Sequence, residues 1–263
     1  MPHFIAIQSS LHAQSGFIKK DNYSHAQQDT VVPILWEELA HIMPYLPLCF
    51  VKQGANTSSY QLVALQGLSP NQNVLLHPEN QKWLLGYVPA HYRGYPFALI
   101  KDASSDKKVL CFDIESELLK NEQELDVVPF FEQGQPSQIL KNTLQFLEMT
   151  EKSQAQTQHA VDQLAEQDLL CEWNIQIKTS DNQTIPLKGL YKIDETKLKA
   201  LAPAQVGQLN KTGVLAIAYA QLLSEHQLKN VQRLHQIHAQ AAQVPEELDL
   251  DTLFSDDDDS FKF

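Results

Sequence analysis

Hydrophobic and polar positions divide the chain into strand-like, irregular and helical stretches. The first thirty residues are polar with weak periodicity and read as an N-terminal arm laid over the body. PILWEELAHIM (33–43) then has helical spacing, with Pro33 suited to a first turn and Pro44 and Pro47 ending it. LCFVKQ and SYQLVALQGL alternate as strands around a turn holding Gly54 and Asn56. In WLLGYVPAHYRGYPFALIK (83–101), Pro89 and Pro96 forbid a continuous helix or a central strand. That segment is expected to be an irregular loop running into a strand at 97–101, which pairs with VLCFDI (109–114) across SSDK.

Helical periodicity takes over from Pro136 to about Leu170, with Ile139, Leu140, Leu144 and Leu147 on one face and Ala160, Val161 and Leu164 on another. The intervening EKSQAQTQ has almost no apolar residue, so a break or a solvent-exposed middle is expected. A hairpin follows, LLCEWNIQIKT against TIPLKGLYKI, with Trp173, Ile175 and Ile177 on one face. Three helical stretches complete the body: ETKLKALAPAQVGQL, GVLAIAYAQLLSEHQL and KNVQRLHQIHAQAAQ. The expected class is α+β, a mixed or antiparallel sheet with the C-terminal helices packed on it. Residues 1–245 read as a single domain, and 246–263 as a disordered acidic tail.

Composition adds where the charge lies. The net charge of −12, with −7 of it in residues 246–263, leaves −5 for residues 1–245. That balance has no basic stripe for phosphates and argues against nucleic acid as a partner. No window approaches the eighteen apolar residues of a membrane span, and the N-terminus lacks the basic and apolar regions of a cleaved signal, so a cytoplasmic protein without membrane insertion is expected. Cys49, Cys111 and Cys171 each lie in an apolar run and read as reduced, buried thiols.

Chemistry is sparse. There is no HExxH, CxxC, GxSxG, GxGxxG or GxxxxGK. His235 and His238 share a helical face without a third ligand, and Asp113 and Glu115 pair at a strand end where, with no third partner, a turn or helix cap explains them better than a metal or a base does. No catalytic residue, metal or cofactor is assigned. The densest local signal is Trp83, Tyr87, Tyr92, Tyr95 and Phe97 around Arg93, one of two arginines in the chain. Rigid rings beside a planar five-donor fork suit a recognition surface, although the same rings could fill a core. A second candidate is the tail, where Phe254, Phe261 and Phe263 bracket Asp256, Asp257, Asp258 and Asp259 in a pattern able to dock on a basic-rimmed apolar pocket.

GYVPAHYRGYPFAL with VLCFDIES, PFFEQGQPSQIL, LLCEWNIQIK, LKGLYKIDETKLKAL and GVLAIAYAQLLS resembles, in order, the signature of the bacterial SapC family. The resemblance spans roughly 30–235 and leaves out the tail. It implies an accessory or adaptor role beside halogenase-like or oxygenase-like enzymes, in modification or uptake of a peptide or metabolite. It supplies no catalytic residue. Where relatives often carry a second basic residue after the arginine, this chain has Gly94. The expected function is therefore binding of a protein or peptide partner through the aromatic–arginine loop. An enzyme of unrecognised type, oxygenase-like or otherwise modifying, and a surface-layer or secretion-associated component stay open, as does the oligomeric state.

Overall fold

The computed structural model describes residues 2–19, 21–54, 59–102, 107–178 and 184–241. Its strands are β1 (Phe4–Ala6), β2 (Ser15–Ile18), β3 (Val31–Pro33), β4 (Leu48–Lys52), β5 (Tyr60–Leu65), β6 (Phe97–Lys101), β7 (Lys108–Asp113), β8 (Leu119–Asn121), β9 (Val127–Pro129), β10 (Phe131–Glu132), β11 (Gln135–Pro136), β12 (Leu170–Glu172), β13 (Ile175–Lys178), β14 (Thr184–Leu187) and β15 (Leu190–Ile193). The helices are α1 (Ser9–His12), α2 (Leu39–Ile42), α3 (Ala90–Arg93), α4 (Gln138–Glu166), α5 (Glu195–Lys199), α6 (Pro203–Lys211), α7 (Val214–Ser224) and α8 (Leu228–Ala241). The fold is α+β, and every strand pairing among the described residues is antiparallel.

The largest sheet has the order β12-β15-β4-β5-β3. Its β4–β5 hairpin runs in the register Leu48↔Ala64 to Lys52↔Tyr60, which buries the near-continuous apolar runs 48–50 and 62–65. Helices α4 and α7 both pack on this sheet and on each other. Val161 and Leu164 of α4 and Ile217 and Ala218 of α7 are fully enclosed in that core. Inside the sheet, where the pairing of β15 with β4 stops at Tyr191 and Phe50, side chains of α7 take the free strand amides: Ser224 Oγ accepts from Leu48 N at 2.9 Å, and Gln221 accepts from Ile193 N at 2.9 Å. Burying two polar groups on an otherwise apolar helix costs little once each is hydrogen-bonded.

A second core lies between two three-stranded sheets, β1-β7-β6 and β8-β2-β9. Phe17, Phe97, Phe112 and Phe130 meet there with ring centroids 5.0–6.2 Å apart, closed off by Leu140. Edge-to-face and offset pairs of this kind add about 0.5–1.5 kcal/mol each beyond area burial. The first thirty residues, which the pattern drew as an arm, supply β1, β2 and Phe17 to this unit, and β2 is its central strand. Strands of three and four residues are too short to carry a periodicity that can be seen in sequence.

The two cores are joined by α4, which is unbroken over 29 residues. Its first turns carry Leu140 into the phenylalanine cluster, and its last turns carry Ala160, Val161 and Leu164 into the main core. The polar middle stays helical, with four of residues 151–158 exposed and Thr157 buried, and Ser137 accepts from Leu140 N as the N-cap. The stretch 33–43 is less regular than its spacing predicts: Val31–Pro33 is strand, followed by a 3-10 turn at Trp36–Glu38 and then α2. The three cysteines are free, with Cys49 and Cys111 buried and Cys171 half-buried.

Candidate functional site

The first half of the aromatic loop is fastened to the main core by the carboxylate of Glu38. Glu38 closes the 3-10 turn at 36–38 by accepting from Leu35 N through Oε2 at 2.9 Å. Its Oε1 accepts from Ala90 N, the first residue of α3, at 2.6 Å and from the Tyr87 hydroxyl at 2.9 Å. Glu38 is only 2% exposed. A buried carboxylate is tolerated when its lone pairs are filled in this way. Trp83 Nε1 donates to Tyr87 O at 2.7 Å and fixes the loop one turn earlier.

Arg93 leaves the end of α3 beside this group. Its Nη2 donates to the Tyr87 hydroxyl at 3.1 Å and stands 3.9 Å from Glu38 Oε1. The guanidinium lies 5.3 Å from the Tyr87 ring centroid and 5.1 Å from that of Phe146 on α4. Its side chain is 43% exposed, so the planar face is held by rings while donors remain turned outward. Tyr87 also stacks on His41 at 4.7 Å. Burial pushes the Tyr87 hydroxyl up to about 12, with the Glu38 charge adding to the rise.

Beyond Arg93 the chain turns through Gly94 and a cis Tyr95–Pro96 bond into β6. A Cβ on residue 94 would come 2.8 Å from Leu147 Cδ2 of α4, so the close passage of that helix favours glycine at this position. Tyr95 stacks on His25 with centroids 3.9 Å apart, and its hydroxyl donates to Asp113 Oδ2 at 3.1 Å. Asp113 Oδ1 accepts from His3 N at 2.8 Å and Glu115 N at 3.2 Å. The buried Tyr92 donates to Asp29 Oδ2 at 3.0 Å and accepts from Gln66 Nε2 at 2.8 Å. Burial raises both hydroxyls, that of Tyr95 to about 12 with Asp113 adding to it, and that of Tyr92 further still.

These residues face a cavity of about 730 Å³ at the junction of the two cores. Tyr92, Arg93, Tyr95 and Phe97 line it together with Phe17, Tyr23, His25 and Phe146. Lys19, Glu115 and Glu117 stand at its exposed margin. That volume lies within the usual range of about 300–1,000 Å³ for a ligand site. Of the residues singled out in sequence, Tyr92, Arg93, Tyr95 and Phe97 therefore share one cavity. Trp83 and Tyr87, both half-buried, stand behind it and hold the loop. Phe254, Asp256, Asp257, Asp258, Asp259, Phe261 and Phe263 lie outside the described residues.

Sequence reasoning passed over Glu38, His25 and Asp29. Nothing local ties them to the loop, because the tyrosines they hold, Tyr87 for Glu38, Tyr92 for Asp29 and Tyr95 for His25, lie 49 to 70 positions away. Of the carboxylate pair, Asp113 is a buried cap and Glu115 is exposed at the cavity margin. His235 bonds Gln72 through Nδ1 at 2.9 Å. Among the described residues no group of three or more His, Cys, Asp or Glu side chains is placed to hold a metal ion, and no helix is long and apolar enough to cross a membrane. Against known proteins, the family model described as SapC matches residues 7–234. No curated protein and no solved structure matches the chain.

Proposed function

The chain belongs to the SapC family, and within it we propose that this protein is an accessory binding protein that takes a peptide, or a segment of a protein partner, into the cavity beside Arg93. The observation that carries the reading is the joining of Tyr92, Arg93, Tyr95 and Phe97 around about 730 Å³. Rings held by buried hydroxyl bonds give contact area with little rotamer entropy left to lose. The guanidinium, braced by Tyr87 and Phe146, offers outward donors to a carboxylate or a peptide carbonyl. The partner implied by the family resemblance is a halogenase-like or oxygenase-like enzyme, or the peptide such an enzyme modifies.

The test is a pull-down from the native cell with wild-type protein, Arg93→Ala and Arg93→Lys, together with thermal melts of all three. Arg93 is well exposed and its ion pair with Glu38 is 3.9 Å long, so its loss should cost under about 1 kcal/mol. Partner capture should fall at least tenfold in both variants, because an ammonium reproduces neither the fork nor the stacking. Wild-type capture by both variants would refute the assignment.

A further inference from the structure

The cavity combines an aromatic wall with a margin of mixed charge. Phe17, Tyr23, His25, Tyr95, Phe97 and Phe146 supply the rings. Arg93 and Lys19 supply positive charge at the margin, and Glu115 and Glu117 supply negative charge. An occupant complementary to this lining has aromatic side chains, carboxylates close by and at least one cation.

The same chain contains such a segment. In FSDDDDSFKF, residues 254–263, Asp256 to Asp259 precede Phe261, Lys262 and Phe263. In an extended segment, Phe261 and Phe263 point to one side and Lys262 to the other. The two rings match the aromatic wall, the aspartates match Arg93 and Lys19, and Lys262 matches Glu115 and Glu117. An acidic run alone would not fit a margin that already holds two glutamates.

The path of the chain brings the segment within reach. Helix α8 is anchored through His235 to Gln72 at 2.9 Å. The next residue, Asn73, bonds Gln27 O from its amide and Ala26 O from its side chain, each at 3.0 Å. Ser24 and His25, immediately before those carbonyls, line the cavity. The last described residue, Ala241, follows His235 by six positions, about 9 Å of helix. From there to Phe261 the chain can extend about 60 Å, against a radius of gyration of about 18 Å for a compact chain of this length.

We propose that residues 254–263 are a ligand of this cavity in the same molecule, competing with the partner for Arg93 and the aromatic wall. The proposal rests on the cavity being the binding site proposed above. A tether of this length gives an effective concentration near the millimolar range. A segment whose free peptide binds at roughly 100 µM would then occupy the cavity in about nine molecules of ten and weaken an added competitor about tenfold. Since charge pairing contributes, occupancy should fall as salt rises and the Debye length shrinks below about 8 Å.

The experiment uses the full chain. A fluorescent peptide of residues 252–263 is titrated by anisotropy into wild-type protein, into Phe261→Ala/Phe263→Ala, and into that double variant with Arg93→Ala added. The double variant should bind the peptide with a Kd of about 0.1 mM or tighter, tenfold below the millimolar effective concentration of the tether. Wild type should bind at least about tenfold more weakly, and adding Arg93→Ala should cost the double variant at least about tenfold. Equal affinity for wild type and the double variant overturns the proposal. So does absence of binding to the double variant, or binding that ignores Arg93. Wild type that dimerises with rising concentration, and loses the dimer in the double variant, would place the segment in a second copy and overturn the intramolecular form. If the native partner still binds through Arg93 while the peptide does not, this inference fails and the binding function stands. If neither binds, both fail.

Discussion

Replacing Glu38 by alanine removes the acceptor shared by three donors: Leu35 N, Ala90 N and the Tyr87 hydroxyl. Ala90 is buried and Tyr87 half-buried, so water reaches these donors poorly once the carboxylate is gone. Each buried donor left unpaired costs about 1–3 kcal/mol, so two such losses give roughly 2–6 kcal/mol, which brackets the roughly 3–5 kcal/mol for breaking a buried charged network, the value expected for Glu38→Ala. Glu38→Gln keeps the volume and one acceptor oxygen but turns an NH₂ toward one of the N–H groups. It should lose about half as much. Urea unfolding at neutral pH, with the m-value compared between variants, measures both. For a chain of this size 1 kcal/mol corresponds to a shift of about 2 °C in Tm, so a drop of about 6–10 °C is expected for Glu38→Ala. The exposed neighbour Glu37→Ala should stay within about 0.5 kcal/mol. Because α3 is pinned by Glu38, Glu38→Ala should also weaken partner capture even at temperatures where the protein is folded. A Glu38→Ala protein within 1 kcal/mol of wild type would refute the view that this carboxylate fastens the loop.

Two other expectations follow from packing and from the hydroxyls. Gly16→Ala should destabilise by about 1–3 kcal/mol or abolish folding, since its Cβ would lie 2.3 Å from Val128 O in the neighbouring strand β9 and backbone cannot move aside as a flexible side chain can; an unchanged urea midpoint would contradict it. Tyr87 and Tyr95, each raised to about 12, should resist ionisation in an absorbance titration that converts ordinary tyrosines near pH 10. Folded hydroxyls that hold their protons more tightly than unfolded ones contribute stability below pH 10 and lose it as pH rises from about 10 to 12. Stability in that window should therefore fall less steeply in Tyr87→Phe, and an identical slope would argue against it.

Much of the architecture is written locally. The β4–β5 and β6–β7 hairpins follow from apolar runs separated by turn-forming residues, and the C-terminal helices follow from spacing and from caps such as Asp194, which accepts from Thr196 N and Lys197 N. Pro89 and Pro96 were enough to show that 83–97 is neither a continuous helix nor a strand, and its rings and single arginine marked it as a candidate recognition surface. Those signals depend on residues a few positions apart, where backbone sterics and period decide the outcome.

What depends on distant pairs was decided only by the tertiary structure. The polar middle of α4 did not break the helix, because its two ends are each anchored in a different core. The N-terminal segment became the central strand of a sheet because β8 and β9, a hundred residues later, flank it. Glu38 looks in sequence like one of two surface acids on a short helix; burial among Leu35, Tyr87 and Ala90 turned it into the fastening point of the loop. The cavity exists because residues 23–25, 92–97, 115–117 and 142–146 converge where the two cores fail to close on each other. Periodicity reports which side of one element is apolar. It holds no information on where two separately satisfied cores leave space between them, and that space is where Arg93 and its rings meet solvent.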